Sequence, residues 1–216
     1  MKHTDLYDVY EVELKFRNRL YGGVPKNPDA LRSFLESSGL PKELEEEYEE
    51  EAGASEEVEK NHTGFREDEN GIFIRDFQIK ALLKETASVL GITTSKRGSK
   101  AILQHGLFVK PDRIYLLDEG GSPKKAPDGN EVMVGKVRGP SGTRSVVTIA
   151  DYVEKAIIRF QIWLLKGGKF AEEDLYKCLL LGQEDGLGSR RSFEAGKYDI
   201  VRFAKVEDDP LANEIH

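Results

Sequence analysis

The chain has 216 residues, a length that corresponds to one large domain or to one domain with a sizeable insertion. Hydrophobic residues make up 38% of it, which is enough to bury a core and excludes wholesale disorder. The single cysteine, Cys178, excludes an internal disulfide and a two-cysteine metal site. The sequence contains no apolar run of membrane-spanning length and no signal-peptide pattern after Met1. We therefore expect a cytoplasmic protein that does not contact a membrane.

The charge is divided unevenly along the chain. The net charge is −7, but residues 41–60 hold ten Glu and two Lys, so the rest of the chain sums to +1. Between Lys96 and Arg144, ten Lys or Arg stand against five Asp or Glu. Blocks of like charge usually lie on solvated helices or loops. The acidic block is therefore either a solvated connector, or a segment that mimics nucleic-acid charge or screens a basic groove.

The first elements in chain order are a strand and a helix. Apolar and charged residues alternate from Val9 to Arg17, which predicts a half-buried strand that continues to Leu20. The sequence Asn27-Pro28-Asp29 is typical of a helix start, and Gly39 closes the predicted helix. We interpret residues 41–70, which follow this helix, as an acidic insertion.

The middle of the chain predicts a strand and a helix. Gly71 to Ile74 has the pattern of a short strand, and Asp76 then caps a helix that stops at Gly91. The apolar stripe of that helix is Ile79, Leu82, Leu83, Thr86 and Leu90.

A less regular region follows this helix. Leu107 to Leu117 is strand-like, although Pro111 implies an edge strand or a bulge. The density of Gly, Pro and Lys from Asp118 to Arg144 indicates long loops. We interpret residues 92–144 as a basic, loop-rich insertion.

The final third predicts a strand, a helix, a glycine-rich loop and a strand. Apolar and polar residues alternate from Ala156 to Leu165, which predicts a strand with Trp163 on its polar side. The helix that follows begins near Ala171. The last strand runs from Lys197 to Val206. Two strand-helix-strand halves predict an α+β, ferredoxin-like (RRM-like) fold over residues 1–216, with an antiparallel sheet, helices on one face and long loop insertions.

The segment GLGSRRS, residues 186–192, gives the sharpest signal for a site. Glycines allow close approach of a ligand, exposed N–H groups suit phosphate oxygens, and Arg190 and Arg191 add planar donors. The glycines follow a helix and precede a strand, which is the wrong order for a dinucleotide fingerprint. The alternative is a loop with a C-cap glycine and two solvated arginines.

Other residue types give fewer candidates. His3, His62, His105 and His216 lack metal-ligand spacing, so we predict no metal site and no cofactor. His105 is either a surface residue or a general acid-base group for RNA cleavage. Trp163 and Tyr115 are strand aromatics that either stack nucleobases or join the core.

Three stretches, in this order, resemble the repeat-associated mysterious protein (RAMP) superfamily, the ferredoxin-like RNA-binding proteins of CRISPR effector complexes. They are the front strand running into Tyr21-Gly22-Gly23, the segment from Ile72 to Lys84, and the final strand-helix unit through residues 186–192 and Gly196-Lys197-Tyr198. The acidic block is not part of the family pattern. The likeness is to subunits that polymerise along guide RNA, or to stand-alone RAMP-like proteins carried by bacteriophages.

The resemblance implies binding to single-stranded RNA, with other subunits of a ribonucleoprotein complex as further partners. We predict that the RNA backbone is held by Gly186, Gly188, Arg190, Arg191, Lys80, Lys84, Lys96, Arg97, Lys136, Arg138 and Arg144. Two alternatives remain open. One is a phage-borne interaction protein that mimics an effector subunit, and the other is a metal-independent endoribonuclease that uses His105. A binding protein is favoured over an enzyme.

Overall fold

The computed structural model describes residues 3–26, 62–92, 103, 105–139 and 142–206. The predicted helix after Asn27, the acidic block, Lys96 and Arg97 lie outside the described residues. Within these residues the helices are α1 (His3–Leu6), α2 (Asp76–Val89) and α3 (Glu172–Asp185), together with a 3₁₀ turn at Arg191–Phe193. The strands are β1 (Tyr7–Phe16), β2 (Leu20–Tyr21), β3 (Val24–Pro25), β4 (His62–Gly64), β5 (Arg66–Asp68), β6 (Gly71–Arg75), β7 (Leu107–Lys110), β8 (Arg113–Tyr115), β9 (Gly129–Gly139), β10 (Gly142–Val153), β11 (Ile157–Leu165) and β12 (Tyr198–Val206).

The main sheet has the order β12-β1-β11-β7, and every neighbouring pair in it is antiparallel. Helix α2 connects β1 to β7 along the chain, and α3 connects β11 to β12. This is the strand order that two interleaved strand-helix-strand halves produce. The predicted α+β, ferredoxin-like fold is confirmed.

Both long helices pack on one face of this sheet. Alternate residues of β1, from Tyr10 to Phe16, join a single core with the apolar stripes of α2 and α3. The hydroxyl of Tyr198 donates to the carbonyl of Leu179 at 2.9 Å and fixes α3 to β12. Cys178 lies in this core, as predicted, and burial raises the pKa of its thiol. Of the helices in the described residues, none is long and apolar enough to cross a membrane.

Helix α2 differs from its prediction at both ends. Arg75, and not Asp76, is the N-cap residue, and its backbone N–H donates to Gln78 Oε1 at 3.0 Å. Leu90 is 41% exposed and lies outside the buried stripe, which Ala87 completes instead. The predicted apolar stripe is therefore confirmed from Ile79 to Thr86, and it ends one turn before the predicted Leu90.

The region predicted as loops contains the longest strands of the structure. Strands β9 and β10 form an antiparallel hairpin, in register from Gly129–Tyr152 to Gly139–Gly142. A two-stranded ribbon exposes much of its surface, so it tolerates the glycines and lysines that the sequence pattern assigned to loops. The base of β10 also pairs with β2 and, in parallel, with β4, which builds a second sheet beside the first.

A buried carboxylate ties the second sheet together. Asp151, only 5% exposed, lies with Oδ2 2.8 Å from Lys26 Nζ and with Oδ1 2.6 Å from His62 Nε2. The backbone N–H of Lys26 also donates to the carbonyl of His62 at 2.9 Å. The two residues that flank residues 27–61 are therefore joined to each other and to β10.

We expect the substitution Asp151→Ala to lower the free energy of unfolding by about 2 kcal/mol, because it leaves the partly buried Lys26 ammonium and His62 imidazole without their partner. Urea denaturation followed by circular dichroism measures this change. The control is Glu173→Gln, which breaks an exposed ion pair with Lys177 on α3 and is expected to leave stability unchanged. Equal midpoints for the two variants would show that the cluster does not hold the second sheet.

Candidate nucleic-acid interface

The glycine-rich loop, residues 186–192, packs against the end of β2 and the glycine that follows it. The backbone N–H of Ser189 donates to the carbonyl of Tyr21 at 3.0 Å, and its hydroxyl donates to the carbonyl of Gly22 at 2.8 Å. A second backbone hydrogen bond, from Leu187 N–H to Gly196 O at 2.9 Å, ties the start of the loop to the segment that precedes β12. The loop is therefore held by backbone hydrogen bonds on two sides.

Gly188 is required by this close packing. Its φ of +83° favours glycine, and a Cβ atom there would lie 2.6 Å from Leu20 Cδ1 and 2.7 Å from Tyr21 O. Because Gly188 has no side chain, Leu20 and the backbone of Tyr21 can pack against it. The sequence pattern had suggested that a ligand approaches closely at this position.

The amide of Gly186 is also engaged within the protein. It donates to Gly182 O at 2.9 Å and caps the C-terminus of α3. The Gly186 amide, which the sequence pattern predicted to hold a phosphate, therefore donates its hydrogen bond within the protein. The C-cap reading, which the sequence left open as the alternative, describes this glycine.

Arg190 links the loop to the base of the β9–β10 hairpin. Its guanidinium lies 5.0 Å from the ring centroid of Tyr21, a cation–π contact. Its nitrogens lie 3.4 Å from the carbonyl oxygens of Glu131 and Thr148, which are long contacts to uncharged acceptors. Arg190 is half-buried, and no carboxylate neutralises its charge through a hydrogen bond among the described residues.

Arg191 lies at a cleft between the loop and α2. Its Nη1 is 2.8 Å from Oε2 of Glu85, in an ion pair whose side chains are 36% and 49% exposed. The cleft has a volume of about 160 Å³, and Gln78, Leu82 and Gly188 are among its other lining residues. An exposed pair of this kind contributes little stability, so Arg191 can exchange Glu85 for another anion at small cost.

The two lysines predicted on α2 lie on the other flank of that helix. Lys80 Nζ is 5.0 Å from the ring centroid of Phe108 on β7, whereas Gln78, Ala81 and Glu85 face the glycine-rich loop. Burial and the neighbouring charge of Lys84 lower the pKa of the Lys80 ammonium. The structure therefore does not bring Lys80 to the loop arginines.

The basic residues of the hairpin lie beyond the point that Arg190 contacts. In the register of β9 with β10, Glu131 pairs with Ala150, while Lys136 pairs with Ser145 and Arg138 with Thr143. Arg144 follows Thr143 on β10. The backbone positions of these residues therefore lie about 13 to 23 Å along the strands from the point that Arg190 contacts.

His105 lies at a cleft of its own, away from the loop. This cleft, of about 280 Å³, is lined mainly by apolar groups such as Leu164, Leu165 and Phe170, with Lys169 as its other ionisable residue. Two-group acid-base chemistry needs a partner of suitable pKa within hydrogen-bond reach. Among the described residues that line this cleft, no carboxylate or second histidine provides one.

Two aromatic candidates have different surroundings. Tyr115 belongs to the small sheet β5-β6-β8, where its hydroxyl donates to Asp68 Oδ2 at 2.8 Å. Burial opposes ionisation of Asp68, but the bonds from Tyr115 and Arg113 outweigh it and lower the pKa of this carboxyl. Trp163 lies half-buried on the helix-free face of the main sheet. Among the described residues, no group of three potential ligands is arranged to hold a metal ion.

The fold is similar to that of solved structures, although the sequence is not. A chain of the Type III-B Cmr-beta complex bound to cognate target RNA, solved by cryo-EM, matches with a TM-score of 0.54 and 14% identity. The match covers 94% of this chain and 62% of that one, so this protein spans less than two thirds of its length. A chain of a Type IV-B CRISPR complex has a TM-score of 0.44 and 11% identity, with 94% of each chain covered. No protein-family model and no curated protein sequence matches.

The packing of the loop gives a direct test. We expect Gly188→Ala to lower the free energy of unfolding by about 3 kcal/mol, because it combines a left-handed backbone with a clash against Leu20 and Tyr21. The control Gly91→Ala also has a positive φ, +65°, but no atom lies within 4 Å of its added Cβ. It is expected to cost about 1 kcal/mol. Equal losses in chemical denaturation would contradict the close approach at Gly188.

Proposed function

We propose that this protein is a RAMP-like protein that binds the sugar-phosphate backbone of single-stranded RNA. The binding surface consists of Arg190 and Arg191 in the glycine-rich loop and of Lys136, Arg138 and Arg144 in the β9–β10 hairpin. We also propose that the protein acts together with CRISPR-type ribonucleoprotein subunits.

The observation that carries the proposal is the contact between Arg190 and the base of the hairpin. Because the Arg190 nitrogens reach Glu131 O and Thr148 O, the glycine-rich loop is joined to the two strands whose backbone carries Lys136, Arg138 and Arg144. Nucleic-acid backbones present a row of charges, so several cations on connected elements suit them better than isolated lysines. The fold similarity to a chain of an RNA-bound complex supports the same assignment.

The energetics of the arginines also support RNA binding. Arg191 gives up only an exposed pair with Glu85, and Arg190 gives up long contacts to carbonyl oxygens. A phosphate offers each guanidinium a shorter, charge-assisted bond in return. The exchange is therefore favourable at low salt and weakens as counterions compete.

Fluorescence anisotropy of a labelled oligouridine RNA, measured over a series of salt concentrations, tests this proposal. We expect binding whose logarithm falls linearly with the logarithm of the salt concentration. The variant Arg190→Ala/Arg191→Ala removes two phosphate contacts and is expected to reduce that slope by roughly 1.4. The variant Lys136→Ala/Arg138→Ala/Arg144→Ala removes three proposed contacts and is expected to reduce the slope by roughly 2.1.

The matched control is Lys177→Ala, which removes one cation from the exposed side of α3. It is expected to leave both the affinity and the slope at the wild-type values. Absence of RNA binding at low salt, or the same slope in all variants, would overturn the proposal. Retention of a protein partner after nuclease treatment, in a chain that does not bind RNA, would instead favour the interaction protein.

The RNA recovered from these mixtures separates binding from cleavage. We expect it to remain intact in the presence of a chelator, since no carboxylate or second histidine lines the His105 cleft within the described part of the chain. Cleavage that disappears in the variant His105→Ala would identify an endoribonuclease and contradict a purely binding role.

A further inference from the structure

The cleft between α2 and the glycine-rich loop, which we term the α2 cleft, has polar groups at two ends of an apolar wall. The residues that line it are Gln78, Ala81, Leu82 and Glu85 on the α2 side and Gly186, Leu187, Gly188 and Arg191 on the loop side. Along the helix, Ala81 and Leu82 lie between Gln78 and Glu85. The volume of about 160 Å³ is below the roughly 300 to 1,000 Å³ of sites for drug-sized ligands, so the cleft suits a single ring system.

Gln78 offers the α2 cleft a hydrogen-bond donor whose orientation is fixed. Its Oε1 accepts the backbone N–H of Arg75 at 3.0 Å, so the amide Nε2 is the group that can bind a ligand. The bond to Arg75 is part of the capping box of α2, so the start of the helix itself holds the side chain.

Glu85 offers the same cleft a hydrogen-bond acceptor. Its Oε2 accepts Nη1 of Arg191 at 2.8 Å. Under the proposed function, Arg191 leaves this pair to bind a phosphate, and the Glu85 carboxylate then lies beside RNA without a partner. A carboxylate in that position repels phosphates and carbonyl oxygens, and only a ligand with N–H donors compensates for this cost. Such a repulsive element is a common source of specificity.

Of the four RNA bases, guanine matches these two groups. Its N1–H and N2 amino group provide two adjacent donors for one carboxylate, and its O6 and N7 accept from an amide N–H. Uracil has one N–H between two carbonyl oxygens, and adenine and cytosine have a ring-nitrogen acceptor beside the amino group. These acceptors would face the Glu85 carboxylate. The Cα atoms of Gln78 and Glu85, seven residues apart, are separated by about 10.5 Å along the helix, so the two side chains can contact different edges of one purine.

We propose that the α2 cleft binds one guanine base of the RNA. Glu85 accepts hydrogen bonds from N1–H and N2–H, Gln78 Nε2 donates to O6 or N7, and Ala81 and Leu82 contact the face of the ring. Arg191, which lines the same cleft, holds a neighbouring phosphate. Free guanine nucleotides share this chemistry, and the assignment to a base within RNA rests on the proposed function. The cleft would give an otherwise sequence-independent surface a preference for guanosine.

Fluorescence anisotropy with two labelled RNAs tests this inference. One is an oligouridine, and the other is the same oligouridine with a single central guanosine. We expect the wild-type protein to bind the second RNA about tenfold more tightly, because a bidentate pair discriminates against the wrong base by about that factor. The ratio of the two affinities is the measured quantity, since it cancels changes that affect phosphate binding alone.

Two variants locate the preference in the α2 cleft. Glu85→Gln keeps the size of the side chain but replaces one acceptor oxygen by a donor, and it is expected to bind the two RNAs within about twofold of each other. Ala81→Leu fills the cleft at an exposed position with a good helix former, and it is expected to lose the preference while it retains binding to oligouridine. The matched control is Glu173→Gln on α3, which is expected to keep the full preference.

Saturation-transfer NMR with GMP, AMP and UMP examines the cleft of the wild-type chain without RNA. We expect signals from the guanine H8 proton of GMP that are stronger than those from the base protons of AMP and UMP, and that disappear in Ala81→Leu. This measurement needs no RNA, so it separates the two proposals.

The possible outcomes are distinct. RNA binding with equal affinity for both RNAs and no selective GMP signal would overturn the guanine site alone. A guanosine preference that persists in Glu85→Gln and Ala81→Leu would place the base elsewhere and also overturn it. Selective GMP signals from a chain that binds no RNA would overturn the proposed function and assign the cleft to a free nucleotide. Absence of both RNA binding and GMP signals would overturn both proposals.

Discussion

The close contact of three backbone segments, each with a glycine at the contact, determines how the parts of this protein fit together. A Cβ atom on Gly22 would collide with the backbone of Gly64, and one on Gly188 would clash with Tyr21. These glycines belong to the turn between β2 and β3, to β4 and to the loop after α3. Because none has a side chain, two segments of the second sheet and the glycine-rich loop meet at backbone distance. The loop arginines consequently project from a base that hydrogen bonds hold in place.

The charged residues divide by burial into two groups with different roles. Asp151 is almost fully buried and bound by Lys26 and His62, so its charge is committed to the structure. Arg190 and Arg191 instead have weak or exposed partners, and their positive charge is available at the surface. Among the described residues, no carboxylate hydrogen-bonds the Arg190 guanidinium, although the chain is acidic overall. Net charge alone would have argued against a nucleic-acid partner.

Regular alternation was the part of the sequence that predicted structure well. The patterns at Val9–Arg17 and at Ala156–Leu165 fixed the two central strands and their faces, and the second already placed Trp163 on the polar side. The β9–β10 hairpin was missed because a ribbon with little buried surface needs no apolar alternation. Sequence patterns also did not predict that Lys80 and the Arg191 of the loop lie on opposite sides of α2, because their relative position depends on tertiary packing.

Sequence patterns also identified the glycine-rich loop but not the purpose of all its glycines. The pattern predicted close approach of a ligand, and the group that lies against Gly188 in the structure is the protein's own chain. Distinguishing the two cases requires knowing which segments meet in space. The cluster of Lys26, His62 and Asp151 was missed for the same reason, because its members are far apart along the chain and carry no shared motif.

The hydrogen bond from Lys26 N–H to His62 O makes the two sides of residues 27–61 direct neighbours. A stretch whose two ends already touch can be exchanged for a tight turn, or for a longer passage, without moving the strands that it connects. The pairing of β3 with β4 therefore fixes both ends of the connecting segment. The number of residues between the two strands can vary without a change in the fold. Related chains with very different numbers of residues at this point are compatible with one and the same scaffold.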